Sequence, residues 1–457
     1  MKHFLLLLQV GLSFTTGAQD TTRISLLFAG DIMGHDSQIA SAYNAATGQY
    51  DYTSCFAGMK PYIESADVAI GNLEVTLAGP PYKGYPQFSS PDALAVALRD
   101  VGFDVLVSAN NHSVDRGRKG ILRTIRVLDS LGIPHTGTFA NEAARNNEYP
   151  LILNKNGFTL ALLNYTYGTN GIPVPAPGMV NLIDTAQMRA DIQKARQVNP
   201  DAIIVFMHWG NEYESLPTRG QRQLADHLCR LGADLVIGSH PHVLQPMEWR
   251  KDQNKLVVYS LGNFVSGQRK RYTDGGATVY TELMKIRYKP DSVITTIDSV
   301  GYFLQWVYRT EDEKRNYYMI PVPHAEKDIA AFRIKGATSQ AAFKQFVADS
   351  RALYGKHNIN VPEIAQIPPD SVVRFRIHVA STAPSNGGAS VPALDEYHFY
   401  GIEPINDEFG TTLVIGNFSN AGSANVLCKK LIEAGHTARV VQYVGGRKRI
   451  LRNRPED

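Results

Sequence analysis

A chain of 457 residues is long enough for two or three domains and a substantial core. Its 44% hydrophobic and 19% charged residues are the ordinary balance of a globular protein. A net charge of +3 argues against a general nucleic-acid binder, and the basic cluster Arg447, Lys448, Arg449, Arg452 and Arg454 reads as a solvated tail.

The chain opens with a processing signal. Lys2 and His3 precede the apolar run Phe4–Val10, and small residues follow, ending Thr16-Gly17-Ala18. Charged, then apolar, then small is the order of a secretory peptide, here residues 1–18 with cleavage after Ala18. The run is too short to span a bilayer, and no later segment is long enough. The mature protein is expected to be soluble, with no membrane span, and secreted or periplasmic.

From Arg23 to about Tyr288 strand and helix alternate. Short apolar runs mark strands at Ile24–Ala29, Val68–Ile70, Val105–Ser108, Thr159–Asn164, Ala202–Met207, Leu235–Ile237 and Leu256–Ser260. Such runs suit strands covered on both faces. Helices are expected at Ser54–Ser65, Pro91–Val101, Arg118–Leu131, Thr185–Val198 and Pro217–Leu231, with Gly102, Gly132 and Gly232 as stops. Thr278–Tyr288 alternates as an antiparallel strand, and β-rich sequence continues to Pro323. This describes a layered α/β domain over residues 22–325. Residues 326–370 hold an amphipathic helix, Thr338–Tyr354, and a linker, Ile359–Asp370, with Pro362, Pro368 and Pro369. A small α+β domain follows at 371–451: strands Val372–Val379, Thr411–Gly416 and Arg439–Tyr443 with helix Ala421–Ala434. Cys229 and Cys428 fall at apolar helix positions and, with Cys55, make no disulfide framework.

Five strand ends carry Asp, Glu, Asn and His, the oxygen and imidazole groups that divalent cations take. Asp31 follows Gly30 and is either a ligand or a turn cap. Asn72 and Glu74 follow the second strand; Glu74 has two oxygens to share between cations, while Asn72 is a ligand, an orienting group or a turn residue. Asn111 offers a neutral oxygen. His112 would give or take a proton, with Asp115 three residues on to orient its ring. His208 ends an apolar strand, Glu212 lies four residues beyond, and alone His208 reads as a core histidine or a ligand. His240 and His242 tip the balance, because His-x-His on an extended segment points both rings one way. Tyr259–Phe264 offers Asn263 as a substrate contact or only shapes the pocket.

These motifs, Gly30-Asp31, Gly71-Asn72-Leu73-Glu74, Asn110-Asn111-His112, His208-Trp209-Gly210, His240-Pro241-His242 and Tyr259-Ser260-Leu261-Gly262-Asn263-Phe264, resemble the CapA family of poly-gamma-glutamate capsule biosynthesis proteins. The resemblance implies a β-sandwich flanked by helices, like that of calcineurin-type metallophosphoesterases. It implies two divalent ions (Mn, Fe or Zn) held by Asp31, Glu74, Asn111, His208, His240 and His242. His112 and Asp115 would then be catalytic, with Asn72, Glu212 and Asn263 toward the substrate. The pattern departs from Asp-x-His, since Met33 stands third and His35 is the nearest replacement. The C-terminal unit is similar to a SPOR domain, a peptidoglycan-binding module, with His378 where that family commonly has Gln. The expectation is an exported metal-dependent hydrolase acting on a phosphoester or an anionic polymer; the alternative is a non-catalytic polymer-binding, export or anchoring factor.

Overall fold

A computed structural model describes residues 20–289, 292–329, 332, 334–365, 373–380, 394, 397, 400, 402–407, 410–418, 421–444 and 447–449. The expected secretory peptide and the basic residues Arg452 and Arg454 lie outside these. Among the described residues no helix is long and apolar enough to cross a membrane.

The apolar runs become strands of two sheets. The first takes β1 (Asp20–Ile32), β2 (Val68–Leu73), β3 (Val105–Val107) and β4 (His135–Thr136) in parallel order. The second is built from β5 (Leu151–Lys155), β6 (Phe158–Thr166), β7 (Ala202–His208), β8 (Leu235–Ser239), β9 (Leu244–Arg250) and β10 (Lys255–Leu261), in the order β9-β10-β8-β7-β6-β5. Its four inner strands are parallel and its two edges antiparallel. The first sheet is completed by β11 (Asn263–Val265), parallel to the end of β1, and by the antiparallel run β12 (Gly275–Lys289), β13 (Ser292–Arg309) and β14 (Tyr317–Pro321) on its other flank.

The period-2 alternation of strand side chains explains the layering. Leu26, Phe28, Ile70 and Val107 face Leu162, Ile204, Phe206, Ile237 and Val258 across the sandwich. Their neighbours Leu27, Ala29, Ala69 and Leu106 turn to the opposite face, under helices α2 (Ala93–Val101) and α3 (Gly117–Ser130), numbered after the short α1 (Asp36–Ala42). Leu163, Val205, Met207, Val236 and Val257 likewise pack under α4 (Thr185–Gln197) and α5 (Arg219–Leu231). The result is the expected layered α/β sandwich flanked by helices. Helix ends follow sequence chemistry: Thr218 and Gln221 form a reciprocal capping box on α5, and Gly232 closes it at φ 113°.

Two expectations need correction. Ser54–Ser65 is not one helix but two single turns, Thr53–Phe56 and Lys60–Ile63. Pro61 has no N–H to continue a helix, and Gly58 passes so close to the Met319 carbonyl that a Cβ there would stand 2.5 Å from it. The expected helix Thr338–Tyr354 is present, but residues 359–365 of the expected linker Ile359–Asp370 are not free, and residues 366–370 lie outside the described ones. Helix α6 (Ala337–His357) places Phe343 against Trp306 and Tyr354 against Tyr302. Ile359 and Glu363 then bridge to Glu248 and Tyr302 of the two sheets.

The C-terminal unit has five strands, β15 (Val373–Ala380), β16 (Ile402–Asp407), β17 (Gly410–Phe418), β18 (Ala438–Val444) and β19 (Arg447–Arg449), in the order β16-β17-β15-β18-β19. Helix α7 (Ala421–Glu433) covers them, burying Ala424, Leu427, Cys428 and Leu431 against Ile377, Val379 and Ile415. Strands β16 and β19 were not foreseen. The buried His378 Nε2 lies 2.8 Å from the Tyr443 hydroxyl. The unit meets the sandwich where strands begin: Arg376 approaches Asp67 (3.7 Å), Asn156 (3.2 Å) and Glu403 (3.4 Å), and the Asn156 N–H donates to Glu403.

Candidate metal centre

The parallel strands of both sheets end on one edge, where open α/β sheets place their ligands. Asp31 arrives there through a bulge. The pairing of β1 with β2 skips a residue between Ala29 and Asp31, at Gly30, and a Cβ on Gly30 would stand 2.0 Å from the Gly262 carbonyl oxygen. The glycine therefore permits the close crossing that re-aims Asp31 into the sandwich mouth. Glu74 follows the end of β2, with its N–H on the Ile32 carbonyl. Asn111, His208, His240 and His242 come from the ends of β3, β7 and β8. All six expected ligands are buried.

They form two overlapping groups. Glu74, His208 and His240 offer ligand atoms within 4.8 Å of one another, and so do Asp31, Glu74 and His242. Glu74 belongs to both. Its Oε1 lies 3.5 Å from His208 Nε2 and 3.8 Å from His242 Nε2. Asn111 Oδ1 is 2.8 Å from His208 Nε2, while Ser239 Oγ, 3.0 Å from Nδ1, takes the ring's other side. With the proton on Nδ1, Nε2 and Asn111 Oδ1 both turn lone pairs to the same point. Among the described residues neither Glu74 oxygen has a hydrogen-bond partner, and neither does His240 Nδ1. Buried polar atoms in that state are costly, and a cation between them removes the cost. The donor set fits a divalent metal on these grounds.

The electrostatics agree. Burial, then the charge of Asp31, push the Glu74 carboxyl well above its ordinary value. Burial raises Asp31 too, but the hydrogen bond and charge of His242 and the Asn72 amide outweigh it and leave Asp31 below the usual value. Burial, then the neighbouring imidazoles, hold His208 far down and His240 at about 3. Both rings are thus neutral, the form a metal binds.

His112 stands beside the cluster. Its Nδ1 is 2.7 Å from Asp115 Oδ2, which also accepts from the Phe88 N–H, and the Phe88 ring meets the imidazole edge-on at 4.6 Å. The dyad foreseen in the sequence is present, and Nε2 is the nitrogen left for other partners.

Other placements differ from expectation. Of the roles open to Asn72, its amide takes the orienting one: it donates to Asp31 Oδ1 (2.8 Å) and accepts from Asn110 (3.2 Å). Asn263 is engaged in the same way, with Oδ1 3.1 Å from His242 Nδ1 and its amine on the Thr273 carbonyl. Glu212 is exposed at the rim, near enough for its charge to act on Glu74. His240 and His242 are not on an extended segment. Both have left-handed backbones (φ 101° and 58°), and that twist is what turns their rings inward. His35 does not replace the missing histidine at Met33. Its Nδ1 accepts from the Gly267 N–H, and it joins neither ligand group. Tyr167, which the sequence reading missed, lays its ring 4.5 Å from His240; its signal was its place just past the end of β6.

A family model described as bacterial capsule synthesis protein PGA_cap matches residues 25–268, the span that carries every one of these residues. The chain belongs to this family. It is 30% identical over 279 residues to the capsule biosynthesis protein CapA of Bacillus anthracis, covering 58% of this chain and 65% of that one. To the PGA biosynthesis protein CapA of Bacillus subtilis (strain 168) it is 31% identical over 281 residues, covering 57% and 68%. The chain thus spans about two-thirds of the length of these relatives. Among solved structures it is similar to the NAD nucleotidase of Haemophilus influenzae, at 13% identity and a TM-score of 0.40 over 73% of this chain and 68% of that one. In this PGA_cap chain the matched segment stops before β12, so the antiparallel flank of the first sheet, α6 and the C-terminal unit lie beyond it.

Proposed function

We propose that this protein is a metal-dependent hydrolase of the cell envelope, acting on a phosphoester or on an anionic polymer of the kind handled in capsule biosynthesis. The observation that carries the reading is Glu74, a buried carboxylate shared by two ligand groups with both oxygens unpartnered. Asp31, Glu74 and His242 would hold one divalent ion; Glu74, His208, His240 and Asn111 would hold another. Bound there, such ions supply Lewis acidity toward an oxyanion and activate water near neutral pH. The remaining work falls to the chain. Asn72 and Ser239 orient Asp31 and His208. Asp115 fixes the His112 tautomer with the proton on Nδ1, and the protonated ring delivers a proton from Nε2 to the leaving oxygen or nitrogen. Tyr167 covers the His240 face from water.

The test is metal add-back. Dialysed protein given Mn, Fe or Zn is expected to bind about two ions per chain and to hydrolyse a generic phosphodiester or poly-glutamate. His112→Asn should keep the metal and lose about a hundredfold or more in turnover. No turnover with any metal on either substrate would sink the hydrolase reading. The second reading is non-catalytic polymer binding, and the similarity to two Bacillus proteins named for biosynthesis favours it. It predicts that His112→Asn leaves polymer affinity intact in a protein that turns nothing over.

A further inference from the structure

The rim of the metal cluster carries tyrosines from three separate loops. Tyr85 lies in the loop between β2 and α2 and is 66% exposed. That loop is closed by paired backbone bonds between Lys83 and Ser89, and the Gly84 N–H is held by Asp36 Oδ1 at 2.8 Å. Tyr85 lies 6.5 Å from Phe88, whose own ring meets His112. Tyr167, just past β6, is 47% exposed, and its N–H donates to the His208 carbonyl. Tyr213, in the loop after β7, has a left-handed backbone (φ 68°), which a bulky residue keeps only where its surroundings impose it. Here its N–H is donated to the Pro241 carbonyl, between His240 and His242. Its ring is 6.3 Å from that of His242 and has Lys270 Nζ 3.7 Å over it, so it contributes a hydroxyl rather than a free face.

Single exposed aromatics need no explanation, but three on fixed loops around one opening do. They share that opening: the charges of Glu74 and Glu212 reach both the Tyr167 and the Tyr213 hydroxyls, and that of Tyr85 reaches Tyr213. The polar groups exposed beside Tyr213 are Asn211 and Glu212, an amide and a carboxylate. Both bind hydroxyl groups well. A carboxylate at the rim also disfavours a ligand that is anionic along its whole length.

We propose that this rim is a subsite for the pyranose ring of a sugar, so that the group presented to the metal cluster is an ester of a carbohydrate. The C–H faces of the sugar would lie on Tyr85 and Tyr167, and its hydroxyls would bond Asn211, Glu212 and the Tyr213 hydroxyl. A nucleobase would stack as well. The sugar is favoured because its hydroxyls spread around the ring and match hydroxyl and carboxylate groups set on two loops, those of Tyr167 and of Glu212. The inference rests on the proposed hydrolase reading and names the substrate class of that same site.

The experiment uses full-length, metal-loaded protein and three small diesters, the methyl esters of glucose phosphate, glycerol phosphate and thymidine phosphate. Calorimetry reads affinity, and turnover is followed separately. Wild-type protein is expected to bind the glucose diester about tenfold more tightly than the glycerol diester. Tyr85→Ala should weaken the glucose diester by about three- to tenfold, as a rise in KM with kcat kept within about twofold, and leave the glycerol diester unchanged. Tyr85→Phe, which keeps the aromatic face, should bind like the wild type. Tyr288→Ala removes a 50% exposed tyrosine at the end of β12 and should change nothing. Equal wild-type affinity for the glucose and glycerol diesters, an equal loss on both in Tyr85→Ala, or a larger loss on the thymidine diester would overturn the sugar assignment. Glucose-diester affinity that depends on Tyr85 in a protein that turns over none of the three would instead overturn the hydrolase reading alone.

Discussion

Acids at the two ends of the first sheet show how the same residue type meets different conditions. Asp31, at the strand ends, keeps its charge because His242 and Asn72 attend it. Asp104, at the strand starts, is exposed as a residue, but partial desolvation of its carboxyl raises it to about 6 despite the Ala69 N–H on Oδ2. The native state therefore binds more protons than the unfolded chain between pH 3.8 and about 6, so stability is full below that window and falls as pH rises through it. Asp104→Asn keeps the acceptor and removes the charge. Because Asp104 is exposed, solvent screens most of the effect, and urea unfolding is expected to show a gain of about 1 kcal/mol or less at pH 8 that disappears by pH 4; an equal gain at both would refute the assignment. The candidate ligands were legible as residue types after strands, though each alone also fitted a turn, a cap or a core position, and only their recurrence at five strand ends pointed to one site. What a sequence hides is direction. The sequence left Asn72 open as ligand, orienting group or turn residue, and only the fold turns its amide back to Asp31; Asn263 gave no sign of holding His242, and the inward turn of His240 comes from a backbone twist that His-x-His does not announce.

At the level of elements, the helix stops at Gly102 and Gly232 were readable because only a left-handed residue ends those helices, at φ 112° and 113°. The broken helix near Gly58 was not, because its cause, the Met319 carbonyl, lies more than two hundred and fifty residues away. The bulge at Gly30 is likewise a tertiary fact. Its Cβ would meet backbone, which cannot rotate aside. Gly30→Ala should cost about 2–4 kcal/mol in chemical unfolding and reduce metal uptake by displacing Asp31. Wild-type metal content in that variant would show that the bulge does not aim the carboxylate.

Across the whole molecule, the strand ends hold the cluster and the strand starts hold the C-terminal unit. The layered sandwich was legible from its apolar runs. The attachment of α6 and residues 359–365 was not, because proline content reads as linker while the backbone there adds bridges to Glu248 and Tyr302. Removing everything after residue 365 is expected to leave metal content and phosphodiester turnover within about twofold. If the C-terminal unit binds peptidoglycan, the same truncation abolishes co-sedimentation with sacculi; sedimentation that persists would exclude that role.

The salt-bridged seam at Arg376 meets the first sheet at Asp67, beside Ser25 of β1, roughly 20 Å along the extended strand from Asp31. Neither end then borrows surface from the other. Replacing the appendage at that seam is expected to leave the geometry of the metal cluster unchanged.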